Sequence, residues 1–339
     1  MNTFGLDIGS TSIKIAQLEK VGDKYRLVAA GIMPTPPPGI ASESESDLAA
    51  LSVAIKKLHQ EARITTRKVV TALPEGEVYA RVIELPPMSE GEVSSAIPWE
   101  AEQLVPQPLS EVTLDWQILA KGQAGQAPEQ TKVFLVAAPK VLIQKYLRVL
   151  NMAGLEVAAI ETELISATRA LLNGASPTAM VVDFGAKTTD LAIVKGGQVI
   201  FTRSLPTAGE AFTRAISTGL SLEEPQAEEY KRAYGLEEKQ LEGKIKKALD
   251  PVFQIVTSEI KKALASWKEK EKEPVTQIIL TGGSANLPQV SSAMTNLLGL
   301  EVQVADPLAR LSANEKILSA LKGNSCLFAV AVGLAAKEV

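Results

Sequence analysis

One turn is written twice in this chain, and the repeat limits what it can fold into more than any other feature. Phe4 to Ile15 reads FGLDIGSTSIKI: a short apolar strand, a turn built on Asp7, Gly9, Ser10, Thr11 and Ser12, and a second strand. Met180 to Val194 reads MVVDFGAKTTDLAIV, with Asp183, Gly185, Thr188, Thr189 and Asp190 in the turn. In each copy an Asp closes a β-rich run, a Gly follows two positions later, and small hydroxyl residues lead into the next apolar run. The Gly permits tight backbone geometry and close approach of main-chain N–H groups to an anion. The Asp is a hard oxygen ligand suited to Mg2+ or to its bound waters. Lys14 and Lys187 place compact positive charge nearby. One such turn reads as a hairpin with a polar tip. Two copies read as a phosphate and metal turn made in each half of the chain.

At 339 residues the chain is long enough for two domains with a core each. A net charge of −4 argues against a nonspecific nucleic-acid binder, which would carry a basic excess. The single cysteine, Cys326, excludes an intramolecular disulfide and makes a reducing compartment the natural home. It stands in an apolar run and reads as a small core residue. The start, MNTFGLDIG, lacks the basic region of a signal peptide. The longest apolar run, Cys326 to Ala336, falls short of the ~20 residues of a membrane span. Direct membrane insertion is therefore not expected, and any membrane association must come through a partner.

In chain order, Lys24 to Gly31 reads as a strand and Pro34 to Gly39 (PTPPPG) as a stiff connection. A polar Ser/Glu stretch then starts a helix with Leu48, Leu51, Ile55 and Leu58 on one face. His59 is expected on the solvated side. Lys68 to Leu73 returns a strand to the first sheet. From about Val78 to Glu156 the pattern becomes a compact α+β unit with no phosphate turn. In it, Ser89 and Glu92 form a capping box, Pro98 implies a kink or break just before Trp99, and a Gly/Gln/Ala loop covers 122–130. Trp99 and Trp116 read as core residues, and this insert is the place to look for a protein partner.

Glu161 to Leu172 reads as a helix joining the halves. Glu161 and Glu163 at its entry either reach a nucleotide site or simply place favourable charge on a helix N-terminus. Gly209 opens a long helical region running through Trp267. Within it AEEYKRAYGL puts Glu228, Lys231 and Arg232 within one turn, where they either meet one ligand or pair on the surface. Strand Gln277 to Thr281 precedes Gly282, Gly283 and Ser284 and a helix over Leu287 to Leu298, a backbone site for an anion or a purine. Neither GxxxxGK(S/T) nor a strand followed by GxGxxG occurs. Ser325 to Ala336 reads as an apolar helix whose small residues suit close packing.

With these motifs in place, the whole chain resembles the actin, Hsp70 and sugar-kinase superfamily. FGLDIGSTSIKI is similar to its first phosphate motif, VVDFGAKTTDLAIV to its second and IILTGGSANL to its adenosine motif. The segments around Glu163 and Gly333 resemble its two connecting helices. The insert with AIPWEAEQLVPQPLSEVTLDWQIL, the PTPPPG connection and AEEYKRAYGL are similar to the PilM family, cytoplasmic actin-like proteins of type IV pilus assembly related to FtsA. The resemblance implies a two-lobed α/β actin-like (ribonuclease H-like) ATPase fold with ATP and Mg2+ in its cleft. Subdomain 1A would span 1–77, the insert 1C 78–157, a connecting helix 158–177, 2A 178–208 and 275–322, 2B 209–274, and a helix returning to 1A 323–339. Asp7 and Asp183 would position Mg2+ through water, while Gly9, Ser10, Thr11, Lys14, Gly185, Lys187 and Thr188 would hold phosphates. Gly282, Gly283 and Ser284 would meet adenosine, and Glu228, Lys231 and Arg232 its ribose and base.

The partner implied is the short cytoplasmic N-terminal tail of the inner-membrane protein PilN, bound in a groove of 1A and 1C. Such a protein links pilus motors to the membrane platform. For phosphoryl transfer to water, Glu163 is the candidate that orients the nucleophile; Glu161 stands where an Asp is more usual. The expected function is an ATP-binding adaptor with slow or no hydrolysis. The alternatives are a working ATPase or small-molecule kinase of the same fold, or an FtsA-like filament former that self-associates.

Overall fold

A computed structural model describes residues 3–22, 24–122, 129–271 and 273–339. Most of the loop expected over 122–130 lies outside them. The chain opens with an antiparallel meander, β1 (Phe4–Ile8), β2 (Ser12–Val21) and β3 (Lys24–Pro34), followed by α1 (Glu45–Glu61) and β4 (Lys68–Leu73). Next come β5 (Tyr79–Leu85), α2 (Glu90–Leu104), β6 (Val112–Ala120), β7 (Thr131–Pro139) and α3 (Lys140–Met152). Then β8 (Glu156–Thr162) leads directly into α4 (Glu163–Leu171). A second meander follows, β9 (Ala179–Phe184), β10 (Thr189–Lys195) and β11 (Gln198–Leu205), and three helices, α5 (Gly209–Leu220), α6 (Glu224–Tyr234) and α7 (Lys244–Lys270). The chain closes with β12 (Gln277–Thr281), α8 (Val290–Leu298), β13 (Glu301–Val304), β14 (Ser312–Ala313), α9 (Glu315–Leu321) and α10 (Ala329–Ala335).

The strands form three sheets: β14-β3-β2-β1-β4-β8, β11-β10-β9-β12-β13 and β5-β7-β6. In the first, β1 pairs antiparallel with β2 and parallel with β4, which pairs parallel with β8. The second repeats this plan, with β9 antiparallel to β10 and parallel to β12, and β12 parallel to β13. Strands of mixed or parallel sheets covered on both faces read as continuous apolar runs. Every residue of β1 is buried, as are all but Asp183 of β9. One core of the first half gathers Phe4, Leu6, Leu51, Ile55 and Tyr146 between the sheet, α1 and α3. The core of the second half gathers Phe184, Phe212, Ile216, Leu249 and Ile260 beneath α5 and α7.

Several local expectations change. The region from Gly209 to Trp267 is three helices rather than one, broken where Ser221 takes φ +53° and again at Gly235 and Gly243. The helix to Leu298 starts at Val290, after a 3-10 turn over Gly283–Asn286. The capping box at Ser89 forms, but α2 continues through Pro98 without a break. Pro98 and the residue four before it, Ser94, both lie on the exposed face, so the freed carbonyl can meet water. That same face carries Trp99, which is 72 % exposed, and Trp116 is 36 % exposed on the outer strand β6; neither is a core residue. His59 is half-buried, edge-on to Phe4, with Nε2 at 2.8 Å from the Thr66 carbonyl. Cys326 is buried, as expected. Among the described residues no single helix is long and apolar enough to cross a membrane.

The two connecting helices cross at the centre. A Cβ on Gly333 of α10 would lie 1.7 Å from the Ser166 carbonyl oxygen of α4, so only glycine permits this approach. Arg169 of α4 donates to the Gly333 carbonyl at 2.8 Å and grips Glu161 through two hydrogen bonds of 2.6 and 2.8 Å. Gly333→Ala is expected to cost about 3 kcal/mol, in the overpacking range, read as a fall in the urea midpoint at unchanged slope.

Candidate functional site

The two repeated turns face each other where the first two sheets meet. In each, the Gly N–H closes the turn: Gly9 N donates to Ser12 O at 3.1 Å, and Gly185 N to Thr188 O at 3.0 Å. The residues seven apart across each hairpin are direct antiparallel partners, Asp7 with Lys14 and Asp183 with Asp190. This sets opposite electrostatics, since cross-strand partners lie side by side. Lys14 Nζ donates to Asp7 Oδ2 at 3.0 Å, leaving the first turn neutral. The second pairs carboxyl with carboxyl.

Glu163, the first residue of α4, brings another acid to the same floor. Burial pushes the Asp183 carboxyl up to about 7, with Asp190 and Asp7 adding to it and Lys14 pulling the other way. Burial, then Asp7, Asp190 and Asp183, raises Glu163 well above the carboxylate range. Burial also raises Asp190, against hydrogen bonds from Ser204 and Thr188. Burial alone would lower Lys14, but Asp7, then Asp183 and Glu163, outweigh it and hold the ammonium charged. The floor therefore holds more carboxyls than cations. Asp190 Oδ1 is buried without a hydrogen-bond partner. Among the described residues no three His, Cys, Asp or Glu side chains converge tightly enough to grasp a bare ion. An acid excess of hard oxygens, spread too widely for direct chelation, fits a hydrated Mg2+ reached through water.

The opposite wall comes from β12 and the α5–α6 pair. Thr281 is the parallel partner of Asp183, and Gly282 follows at φ +84°, where a Cβ would lie 2.3 Å from Asp183 Oδ1. Ser284 Oγ donates to Gly185 O at 2.9 Å, so its hydroxyl ties the second turn in place. The first N–H groups of α5 serve the same turn, Gly209 N to Gly185 O and Glu210 N to Ala186 O. Lys231 is 6 % exposed and spends its three donors on Gly209 O, Thr213 Oγ1 and Glu228 Oε2. It braces α5 rather than reaching freely into the cleft. Arg232, three-quarters exposed, bonds Glu228 Oε1 at 2.7 Å. Burial would raise Glu228, but hydrogen bonds from Lys231, Thr213 and Arg232 hold it near 2.

One cavity of about 1280 Å3 unites these parts. Its lining includes Asp7, Gly9, Ser10, Thr11 and Lys14 from the first turn, and Asp183, Gly185, Lys187 and Thr188 from the second. Glu163, Glu228, Lys231, Arg232, Gly282, Gly283 and Ser284 complete the predicted set. Glu161 does not join them. It is bound by Arg169 and, at 3.0 Å, by Lys337, which places it in the helix crossing instead of the site. The sequence reading missed Thr35, whose hydroxyl donates to Gly9 O at 2.7 Å. It quoted Asp190 in the turn without giving it a role; the seven-residue spacing opposite Asp183 was its signal.

Residues 5–339 match the family model described as type IV pilus assembly protein PilM. The chain belongs to this family. A solved structure titled as a PilM-PilN type IV pilus biogenesis complex is 31% identical, covers 99% of this chain and 98% of that one, and superposes with a TM-score of 0.85. Cell division protein FtsA of Bacillus subtilis is 22% identical over 89% of this chain and 78% of its own length. MreB 5 of Spiroplasma citri, solved bound to AMPPNP, shares the fold with a TM-score of 0.53 at 16% identity over 98% of this chain and 94% of that one. The fold is thus the actin-like ATPase fold expected of the PilM family.

The acid floor makes a pH signature. The Asp183 carboxyl sits at about 7 folded against 3.8 as its ordinary value, so the folded state binds the proton more tightly. That stabilisation is complete below the ordinary value and is lost as pH rises through the folded one. The ligand-free protein is expected to melt lower at about pH 7.5 than at about pH 5.5, and Asp183→Asn to shrink that difference. An equal pH dependence in both proteins would show that Asp183 carries no such proton.

Proposed function

We propose that this protein is an ATP-binding, actin-like adaptor of type IV pilus assembly that binds the cytoplasmic N-terminal tail of PilN. The observation that carries the nucleotide part is the meeting of two Asp–Gly turns, the Gly282–Ser284 bend and Glu163 in one cleft. Ser10, Thr11 and Thr188 offer the phosphates backbone N–H and hydroxyl groups, Gly9 and Gly185, whose own N–H groups close the turns, allow the close approach, and Lys14 and Lys187 supply charge. Asp7 and Asp183 would hold Mg2+ through water, and the ion would supply charge neutralisation to the phosphates. Gly282 and Gly283 give the adenosine a flat backbone surface. Glu228 takes ribose hydroxyls, with Lys231 bracing it and Arg232 flanking the base. Ser284 acts mainly by holding the second turn.

Turnover by this site is expected to be slow. Burial and the neighbouring acids raise the Glu163 carboxyl, which favours its protonated form and weakens it as a general base, a contribution of about 10²–10⁴-fold where it operates fully. Nucleotide then serves chiefly to fix the closure of the two halves. The partner reading is supported by family membership and by the relative solved as a PilM-PilN complex. On this reading the insert and the first sheet form the tail-binding groove, the protein is cytoplasmic, and PilN recruits it to the inner face of the membrane, where it meets the pilus motors. The subdomain limits proposed from the sequence follow the same family plan.

The test is the nucleotide that co-purifies, identified by mass spectrometry and followed for hours with Mg2+. Intact ATP supports the adaptor. Steady conversion to ADP, lost in Glu163→Ala, makes the protein an ATPase instead. Asp7→Ala and Asp183→Ala are each expected to weaken Mg-ATP binding at least about tenfold in calorimetry, or ~1.4 kcal/mol; unchanged affinity would refute the cleft assignment.

A further inference from the structure

The turn Pro74–Glu77 stands between the cleft and the three-stranded sheet. Pro74, Gly76 and Glu77 line the cavity, and the chain then runs straight into β5. Glu75 does not line it. Its side chain is buried at 4 % exposure, with both carboxyl oxygens lacking a hydrogen-bond partner. Around that carboxyl stand the hydroxyls of Thr162 on β8 and Thr202 on β11 and the N–H of Leu164 on α4, with Asp190 of β10 nearby. Thr162 Oγ1 and Asp190 Oδ1 are likewise buried and unpartnered. Groups from both halves of the molecule thus converge on one carboxyl without a settled bond. A buried polar group left in that condition is unfavourable until its hydrogen bonds close.

The same turn is fastened to each side. Glu75 N donates to Glu163 Oε2 at 3.3 Å, tying the turn to the catalytic candidate of the cleft. A Cβ on Gly76 would lie 3.0 Å from Ser204 Oγ of β11, so turn and strand are in direct contact. Thr202 Oγ1 donates to the Ala80 carbonyl of β5 at 3.2 Å. Beyond it, Phe134, Val136 and Val82 of the three-stranded sheet share a core with Val181, Ala192 and Val194 of the second sheet. Lys132 of β7 pairs with Glu271 past the end of α7. The three-stranded sheet therefore rests on the second half, although the turn that feeds it leaves the first.

We infer that Glu75 is a positioning residue that carries the state of the cleft to the three-stranded sheet, by bonding Thr202 and Thr162 when the halves close on nucleotide. This rests on the nucleotide reading above. Closure brings β11 towards the turn, the Glu75 carboxyl in its protonated form donates to Thr202 Oγ1, whose own proton stays on the Ala80 carbonyl, and β5 is pinned through that chain.

Hydrogen exchange of the full chain with and without Mg-ATP tests this. In the wild type, Mg-ATP is expected to slow exchange in β5 and β7 at least about fivefold. Glu75→Ala should bind Mg-ATP within about threefold of wild type by calorimetry yet lose that slowing. Thr202→Val, which keeps shape and removes the hydroxyl, should lose it too, and Glu75→Gln, whose amide still donates to Thr202 Oγ1 and accepts from Thr162, should keep it. Full slowing in both Glu75→Ala and Thr202→Val, or none in a wild type that demonstrably holds Mg-ATP, would overturn the inference. If circular dichroism shows Glu75→Ala unfolded, Thr202→Val decides. A wild type that binds no Mg-ATP in calorimetry would instead remove the nucleotide reading and this coupling with it.

Discussion

Negative charge gathered where two sheets meet is the constraint on which the rest of this structure depends. Asp7, Asp183, Asp190 and Glu163 converge at one floor, and Lys14 is the ammonium that pairs within it. Such a cluster is unfavourable in a folded chain unless protons or cations join it. The surrounding architecture keeps it intact. Backbone bonds close both turns, Ser284 and the start of α5 hold the second, and Thr35 holds the first. The protein keeps an electrostatic demand at its centre that an external cation can meet, a common way in which ligand binding is made to stabilise one conformation.

Much of this was legible because the turns need particular residues at fixed spacing. Asp, Gly and hydroxyls around a reversing strand leave few alternatives, and the apolar runs beside them read as covered strands. What was not legible depends on which neighbour fills a space. Nothing in LPEG says that Glu75 will lie beneath β11, because the partners come from residues 162 and 202. Lys231 shows the same limit: its spacing from Glu228 was visible, but the Gly209 carbonyl that accepts its hydrogen bond was not. Trp99 and Pro98 were misplaced by reading residue type before helical face. Val93, Ile97 and Ala101 already fill the inner face of α2, which turns both of them outward.

The expected linking helix proved to start two residues later than its first acid, and this small shift separates two functions. Glu161 lies one residue before the end of β8 and is spent on Arg169 and Lys337 in the helix crossing. Glu163 opens α4 and faces the cleft. A strand-to-helix junction has a side chain for each face, so one acid can brace the scaffold while its neighbour serves the site.

The position of α10 has a consequence for how the polypeptide is made. This helix lies against β1, β2 and β4, and its residues Ala331, Val332 and Ala335 share a core with Ala16, Leu18 and Leu27. One face of the earliest sheet is therefore covered by a helix translated after the whole of the second half. Until that helix emerges the face stays open, an apolar surface of the kind that draws chaperones or aggregates. The core of the second half is built by α5 and α7, which follow its meander, and completed by β12, α8 and Cys326, all of which precede α10. The half translated later can thus close its core before α10 covers the first sheet.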